Sequence, residues 1–282
     1  MSETPRRLLK HAGERLAARG IETAALDARL LFQAASGLRH EDIVAEPDLI
    51  LPPDAAVRFW SFIERRCTFE PVSRILGTRE FYGRSFRVTP DVLDPRADTE
   101  TLIGAALALA KGRGPLHILD LGTGSGAIVV TLLAELPGAT AVASDLSTAA
   151  LEVARGNAEA LGVANRANFV RANWFDEVDG QFDLIVSNPP YIALGDIGGL
   201  AVDVHDFDPP MALDGGPDGL GAHRRIASEA GGHLAPGAHV ILEIGAGQEN
   251  AVNGLFKGQG FVRESRHFDL AGHVRCLVYG RA

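Results

Sequence analysis

The chain has 282 residues, of which 46% are hydrophobic, so it can bury the core of one large domain or of two modest ones. Its formal net charge is −9, with no run of five like charges, which argues against a protein that binds by neutralising many phosphates. The N-terminus lacks a signal-peptide core and no apolar run approaches a membrane span, so a soluble cytoplasmic protein is expected. Two widely separated cysteines and the lack of zinc-binding spacings give no sign of a disulfide framework or a metal site.

The first part of the chain reads as helical. Apolar side chains recur at helical spacing over residues 8–17 and 26–34, and each of these runs is followed by a glycine. A third run opens at Pro52-Pro53. We therefore predict a small bundle of four or five helices over residues 1–77, which lacks a catalytic cluster and serves for binding or packing.

A short linker follows the bundle. Residues 80–88 alternate in polarity around Tyr82-Gly83, which predicts a β-hairpin within a linker that spans residues 78–97. A polar, proline-punctuated loop then leads to a predicted helix over residues 99–110, with Asp98 as its N-cap.

The remainder, residues 98–282, alternates between strand and helix patterns. Such alternation predicts a mostly parallel, doubly wound α/β sheet. The predicted strands number seven and cover residues 117–121, 139–144, 167–171, 182–187, 239–244, 261–267 and 274–279. The predicted helices between them cover residues 128–136, 149–161 and 220–234. A loop rich in Gly, Asp and Pro covers residues 193–219, and two interpretations of it stay open: a lid that orders when substrate binds, and a flexible surface loop.

The fourth predicted strand ends in Asn188-Pro189-Pro190-Tyr191. Proline cannot continue a ladder, so this turn is expected to leave the Asn188 side-chain amide and the Pro189 carbonyl unpaired at the carboxyl edge of the sheet. Ligands of open α/β sheets bind at that edge. Two hydrogen-bond acceptors beside the aromatic face of Tyr191 suit a planar NH₂ group, and all four residues are predicted to be catalytic.

The first predicted strand runs into a glycine-rich loop that is suited to a nucleotide. The glycines permit a tight turn and a close approach of backbone to ligand, and Asp145, 23 positions after Gly122, can accept both hydroxyls of a ribose. Gly122, Gly124 and Ala127 also satisfy the dinucleotide pattern, so the loop alone leaves a nicotinamide oxidoreductase open. The additional glycine at 126 and the Asn188 turn favour S-adenosylmethionine.

Trp174 follows the third predicted strand, beside the expected position of an adenine, and can pack against that base. The predicted cofactor site comprises Gly122, Thr123, Gly124, Ser125, Gly126, Asp145, Trp174 and Asn188.

Together these motifs resemble one family, the glutamine methyltransferases that modify bacterial and organellar peptide chain release factors. The similar segments follow the order of that family along nearly the whole chain: residues 71–83, 90–100, 120–126, 188–191, 208–213, 215–220, 242–245 and 269–275. The chain departs from the family pattern at three positions, with Asp94 for an apolar residue, Ala97 for proline and Asp208 for glutamate.

The resemblance implies a Rossmann-like methyltransferase domain, an N-terminal helical domain that helps to grip the substrate protein, and S-adenosylmethionine as the methyl donor. It also implies that the acceptor is the side-chain amide of the glutamine in the Gly-Gly-Gln tip of class-1 release factors. No direct contact with nucleic acid is expected.

Besides the nicotinamide oxidoreductase, two alternatives stay open at this stage. DNA adenine and ribosomal guanine methyltransferases use a similar tetrapeptide to hold an exocyclic NH₂ group, so the motif alone does not separate them from a protein methyltransferase. The acidic composition and the helical N-terminal segment favour a protein substrate. A catalytically silent scaffold is the second alternative, against which the intact Asn188 turn and glycine loop argue.

Overall fold

A computed structural model describes residues 4–281 of the protein. The polar N-terminal segment, in which no signal peptide is expected, therefore lies partly outside the described residues. The chain forms two compact units: residues 4–78 together with 201–207, and residues 79–200 together with 208–281. None of the helices within residues 4–281 combines the length and the hydrophobicity that a bilayer span requires.

The first unit is a helical bundle, as the helical spacing predicts. Its five N-terminal helices are α1 (Pro5–Ala18), α2 (Ala24–Ser36), α3 (His40–Ala45), α4 (Pro53–Cys67) and α5 (Val72–Leu76). Their apolar faces meet in one core that contains Leu16, Leu31, Phe32 and Phe59. An ion pair joins α2 to α4 within this unit, where Arg66 Nε donates to Asp27 Oδ2 over 2.7 Å and both side chains are buried.

The predicted hairpin consists of β1 (Thr78–Phe81) and β2 (Arg84–Arg87). Tyr82 and Gly83 both take positive φ, 49° and 68°, which matches the twist of a two-residue hairpin turn. A 3₁₀ turn over Ala97–Thr99 then leads into α6 (Glu100–Ala110).

The prediction that Asp98 caps α6 is wrong. Asp98 lies inside the 3₁₀ turn, Thr99 precedes the helix, and the Asp98 carboxylate instead lies 3.3 Å from Arg275 Nη2. The 3₁₀ turn moves the start of the α-helix one residue along the chain, and it leaves the Asp98 carboxylate directed to Arg275.

Seven strands form one sheet: β3 (His117–Leu121), β4 (Thr140–Asp145), β5 (Ala167–Arg171), β6 (Phe182–Ser187), β7 (Leu234–Glu243), β8 (Phe261–Phe268) and β9 (Val274–Arg281). Their order is β5-β4-β3-β6-β7-β9-β8. The first five run parallel, whereas β9 pairs antiparallel with both β7 and β8. The predicted doubly wound, mostly parallel sheet of seven strands is confirmed.

The helices that follow α6 are α7 (Ala127–Glu135), α8 (Thr148–Ala160), α9 (Val202–His205), α10 (Pro210–Leu213), α11 (Gly221–Glu229) and α12 (Glu249–Gly258). Of these, α9 belongs to the first unit. The predicted helix over residues 220–234 is too long, because α11 stops at Glu229 and Leu234 already pairs with Phe182 in the sheet. The sequence reading did not assign α12.

The chain reverses its direction of travel across the sheet between β3 and β6. It passes outward through β4 and β5 and then returns to place β6 on the other side of β3. Leu121, the last residue of β3, pairs with Ser144 of β4 and Ser187 of β6. The segments that leave β3, β4 and β6 therefore emerge at one edge of the sheet, around the switch point where such folds bind ligands.

Candidate active site

A cavity of about 480 Å³ lies at this carboxyl edge of the second unit. Residues 122–125 border it after β3, residues 145–147 at the end of β4, residues 172–174 after β5, and Asn188 and Pro190 after β6. Residues from the 90–99 segment and from α10 complete the wall. The volume falls in the range of small-molecule sites. The fold thus brings most of the predicted site residues around one space.

The glycine-rich loop borders the cavity with its backbone. Gly122 and Gly124 have φ of 70° and 54°, a region that L side chains rarely adopt. The N–H groups of Gly122 and Thr123 both donate to the carbonyl of Ser144 over 2.9 Å, which fixes the start of the loop on the neighbouring strand.

The glycine at 126 packs closely against a neighbouring helix. Gly126 precedes α7 with φ of 79°, and a Cβ there would lie 3.1 Å from the Cβ of Ala154 on α8. It is not among the described residues that line the cavity. Its lack of a side chain lets α7 and α8 approach each other behind the loop.

Asp145 lies at the cavity wall, at the end of β4. Its carboxylate accepts the N–H of Gly124 at Oδ2 and the N–H of Ser147 at Oδ1, each over 2.9 Å. Burial raises the pKa of this carboxyl, and the two backbone donors oppose that shift. Asp145 therefore joins the glycine loop to the start of α8 and still presents an acceptor group at the cavity.

Behind the loop, Asp120 is completely buried and accepts a hydrogen bond from the Thr123 hydroxyl over 2.7 Å. Burial raises the pKa of Asp120 to about 7, against the opposing effect of that hydrogen bond. Its carboxyl supports the loop from the side of the core.

Asn157 on α8 ties the same loop to the hairpin. Its Nδ2 donates to the carbonyls of Ser125 and Arg87 over 2.8 and 3.0 Å, and its Oδ1 accepts the N–H of Arg87 over 2.8 Å. The sequence gives no signal for this contact, because Asn157 lies in an otherwise ordinary amphipathic helix.

The Asn188 side chain borders the cavity and is not unpaired as predicted. Its Nδ2 donates to Thr99 Oγ1 over 3.1 Å, and the Thr99 hydroxyl in turn donates to Glu243 Oε2 over 2.6 Å. The nitrogen of the amide is thus used inside the protein, and Oδ1 is the group left to accept a hydrogen bond from a ligand.

Glu243 ends β7 and is 1% exposed. Burial raises its pKa to about 7, whereas the hydrogen bond from Thr99 and the charge of Arg275 favour the ionised form. The Tyr191 hydroxyl lies 3.4 Å from the other carboxylate oxygen, Oε1. Burial and the Glu243 charge raise the pKa of Tyr191 to about 12, so that the phenol keeps its proton.

Pro189 and Tyr191 are not among the described residues that line the cavity, although Asn188 and Pro190 are. Pro189 is buried within the turn. The Tyr191 carbonyl accepts a hydrogen bond from Gln248 Nε2 over 2.9 Å. These contacts of Tyr191 support the turn, and the contact of its ring with a substrate amide stays a prediction.

Trp174 does line the cavity, in the turn after β5. It is half-buried against the apolar cluster on one face of the sheet, and its φ of 59° is unusual for a bulky residue. Backbone conformations of this kind concentrate at functional sites.

The segment before α6 covers another part of the cavity. The Arg96 guanidinium forms an ion pair with Asp208, whose Oδ1 also accepts the Asp94 N–H over 3.4 Å. Asp94 is buried, lies 3.9 Å from Arg79 Nη1, and is not among the described lining residues, whereas Leu93 and Pro95 are. The acidic departures from the family pattern therefore help to fix this segment.

The 193–219 loop contains a 3₁₀ helix over Leu194–Gly199 and the short helices α9 and α10. Within the second unit its two ends pair with each other, because Leu194 N–H donates to the Gly216 carbonyl over 2.9 Å and Gly215 N–H to the Ile192 carbonyl over 2.8 Å. Whether the segment closes over substrate stays a prediction.

Thr99, Glu243 and Gln248 are site residues to which the sequence reading assigned no role. Thr99 and Glu243 do lie inside segments that carry the family resemblance, 90–100 and 242–245. Glu243, a buried carboxylate at the carboxyl end of a predicted strand, was a usable signal. Its partner Thr99 was not, because Thr99 lies 144 residues from Glu243 and 89 residues from Asn188 in the sequence.

Comparison with known proteins agrees with this architecture. Residues 7–77 match the family model described as the PrmC N-terminal domain, and residues 102–201 match the methyltransferase small domain. Among solved structures, the hMettl16 catalytic domain in complex with the MAT2A 3'UTR hairpin 6 aligns with a TM-score of 0.58 at 16% identity, over 81% of this chain and 82% of that one. A T. thermophilus 16S rRNA methyltransferase in complex with AdoMet and guanosine aligns with a TM-score of 0.51 at 20% identity, over 73% of this chain and 50% of that one.

Curated relatives are much closer in sequence. The release factor glutamine methyltransferase of Cereibacter sphaeroides is 49% identical over 269 residues, which cover 95% of each chain. That of Moorella thermoacetica is 42% identical over 281 residues, which cover 99% of each chain. These relatives are methyltransferases, which sets aside the nicotinamide oxidoreductase alternative. The chain belongs to the release factor glutamine methyltransferase family.

Proposed function

We propose that the protein transfers a methyl group from S-adenosylmethionine to the side-chain amide nitrogen of the glutamine in the Gly-Gly-Gln tip of class-1 peptide chain release factors. The observation that carries this proposal is one cavity bordered on one side by the glycine loop and Asp145 and on the other by Asn188. The relatives reported above are named release factor glutamine methyltransferases, and these names support a release factor as the substrate.

The cavity fits the methyl donor in size and in chemistry. Its volume of about 480 Å³ suits a small-molecule ligand, Asp145 offers acceptors for ribose hydroxyls, and Trp174 offers an apolar surface for a base. Gly122 and Gly124 allow the ligand to approach the backbone closely. When bound, S-adenosylmethionine supplies an electrophilic methyl group on a sulfonium.

The residues of this chain contribute to the reaction by holding the substrate amide in position. An amide nitrogen is a weak nucleophile, since its lone pair is delocalised into the carbonyl. Asn188 Oδ1 and the Pro189 carbonyl accept the two N–H bonds of the substrate glutamine, which holds the nitrogen in place and favours its pyramidalisation. Most of the rate enhancement then comes from proximity and from these two dipoles.

Tyr191 acts on this arrangement through the turn. Its hydroxyl is directed to Glu243 and its carbonyl is held by Gln248, so the residue stabilises the turn that carries Asn188 and Pro189. Its ring is also proposed to pack against the planar amide of the substrate.

The test is the transfer of labelled methyl from S-adenosylmethionine to a purified class-1 release factor. A release factor with alanine in place of the tip glutamine is the matched control. We expect label on the first protein only. Label on the control, or label on duplex DNA or rRNA with a steep salt dependence, would contradict the glutamine acceptor.

A further inference from the structure

The hydrogen-bond chain behind Asn188 runs in one direction. Thr99 Oγ1 donates to Glu243 Oε2 over 2.6 Å, which is the direction required when the Glu243 carboxylate is ionised, because an ionised carboxylate can only accept. With its proton committed, Thr99 Oγ1 can only accept from Asn188, and it does so from Nδ2 over 3.1 Å. Rotating the Asn188 amide by half a turn would place Oδ1 against Thr99 with no proton between two acceptors.

We propose that Thr99 and Glu243 are positioning residues that fix which end of the Asn188 amide faces the acceptor site. This inference rests on the proposed function, because it concerns how Asn188 presents Oδ1 rather than its NH₂ to the incoming amide nitrogen.

Burial strengthens the hydrogen bonds that fix this orientation of the Asn188 amide. Thr99 is 4% exposed and Glu243 is 1% exposed, so water does not compete for the hydrogen bonds between them. An unpaired polar group in such surroundings costs more than the same group in water. The wrong rotamer would also direct the Asn188 N–H groups at the substrate NH₂, where two donors oppose each other.

The surroundings of Glu243 agree with an acceptor role. Burial raises the pKa of Glu243 to about 7 and Asp98 adds to this rise, whereas the hydrogen bond from Thr99, the charge of Arg275 and the Tyr191 phenol at the second oxygen favour the ionised form. His223 contacts only the backbone of this residue, with Nε2 lying 3.2 Å from the Glu243 carbonyl. Both carboxylate oxygens thus have a donor, and Glu243 is not among the described residues that line the cavity.

The test uses matched pairs at each position in the full-length protein. Thr99→Val keeps the shape of the side chain and removes the hydroxyl, whereas Thr99→Ser keeps the hydroxyl. Glu243→Met removes the acceptor at similar size, whereas Glu243→Gln keeps an oxygen that can accept from Thr99. We expect kcat to fall roughly 10- to 100-fold in Thr99→Val and Glu243→Met and to stay within about 3-fold of wild type in the other two.

The effect should appear in kcat alone. The KM for release factor and the Kd for S-adenosylmethionine should change by less than about 3-fold, since Thr99→Val keeps the shape of a side chain in the cavity wall and Glu243 is not among the described lining residues. The double variant Thr99→Val/Glu243→Met should be no slower than Thr99→Val, because both changes break one chain of hydrogen bonds. Additive losses, or a Thr99→Ser enzyme as slow as Thr99→Val, would overturn the inference.

A measurement without substrate separates this inference from the proposed function. Selective ¹⁵N-asparagine labelling, with the Asn188 signal assigned through the Asn188→Ala spectrum, reports the side-chain NH₂ directly. We expect slow hydrogen exchange of one Asn188 amide proton in wild type and Thr99→Ser, and fast exchange in Thr99→Val. Equal exchange in all three overturns the role of Thr99, whereas a wild-type protein that fails to methylate the release factor overturns only the proposed substrate.

Discussion

At the scale of single residues, we predict that Asn188 is needed for methyl transfer and contributes little to cofactor affinity. Its nitrogen is held by Thr99, and the same side chain borders the cavity. In Asn188→Ala the acceptor for the substrate N–H is lost, and we expect kcat to fall by roughly 10²-fold or more, as for the loss of other preorganised dipoles.

The cofactor affinity of Asn188→Ala should stay close to that of wild type, because Asp145 and the glycine loop are untouched. Single-turnover methyl transfer measures the loss of turnover, and equilibrium titration with S-adenosylmethionine measures the cofactor affinity. Equal losses in turnover and in affinity would remove Asn188 from the acceptor site.

Asp145 should show the opposite behaviour. Its carboxylate accepts from Gly124 and Ser147 and faces the cavity, so Asp145→Ala removes both the proposed ribose contact and a tether of the loop. We expect the Kd for S-adenosylmethionine to rise about 10- to 100-fold, as for the loss of hydrogen bonds to a charged group. Turnover at saturating cofactor should suffer far less, and an unchanged Kd would exclude Asp145 from the cofactor site.

At the scale of elements, the contact between α7 and α8 depends on Gly126. An alanine there would take the strained positive φ and would also place its Cβ 3.1 Å from Ala154 Cβ. We expect Gly126→Ala to lower the free energy of unfolding by about 2–5 kcal/mol, from conformational strain plus overpacking.

Gly162, just beyond the end of α8, is the matched control for this prediction. Its φ of 72° is similar, and a Cβ there would meet nothing within 4 Å. Gly162→Ala should therefore cost only about 1–2 kcal/mol of strain. Urea denaturation of both variants measures the difference, and equal losses would show that packing at Gly126 is unimportant.

The elements that the sequence predicted best are those with a local cause. The runs over residues 117–121 and 182–187 are mainly apolar and end in polar turns, and the structure gives β3 and β6 the same bounds. The wrong predictions depend on contacts between residues that are far apart in the sequence. The start of β7 depends on pairing between Leu234 and Phe182, and no local pattern encodes that contact.

The same difference between local and long-range causes applies to the residues of the candidate site. Gly122, Asp145 and Asn188 were identifiable because strand ends in a parallel sheet share one edge. Thr99 was not, since its hydrogen bonds reach residues 89 and 144 positions away. The support that Tyr191 gives to its turn was not predicted, because the sequence does not reveal that its hydroxyl lies beside a buried carboxylate.

At the scale of the whole molecule, two buried carboxyls near the site give the stability of the protein a pH dependence. Burial raises the pKa values of both Asp120 and Glu243 to about 7. A carboxyl whose folded-state pKa lies above its unfolded value binds more protons in the folded state at intermediate pH. Such a group stabilises the fold at low pH, and this contribution is lost as pH rises toward the folded-state pKa.

Asp120→Asn isolates one of these contributions, because Glu243 is the same in both proteins and cancels in the comparison. The Asp120 pKa moves from 3.8 to about 7 on folding. Since one pKa unit corresponds to about 1.4 kcal/mol, the wild type should lose roughly 2–3 kcal/mol relative to the variant between pH 5 and pH 8. The Thr123 hydroxyl can still donate to the asparagine oxygen, so the loop keeps this contact. Urea denaturation of both proteins at the two pH values measures the change, and a stability difference that is the same at pH 5 and pH 8 would mean that Asp120 does not titrate between them.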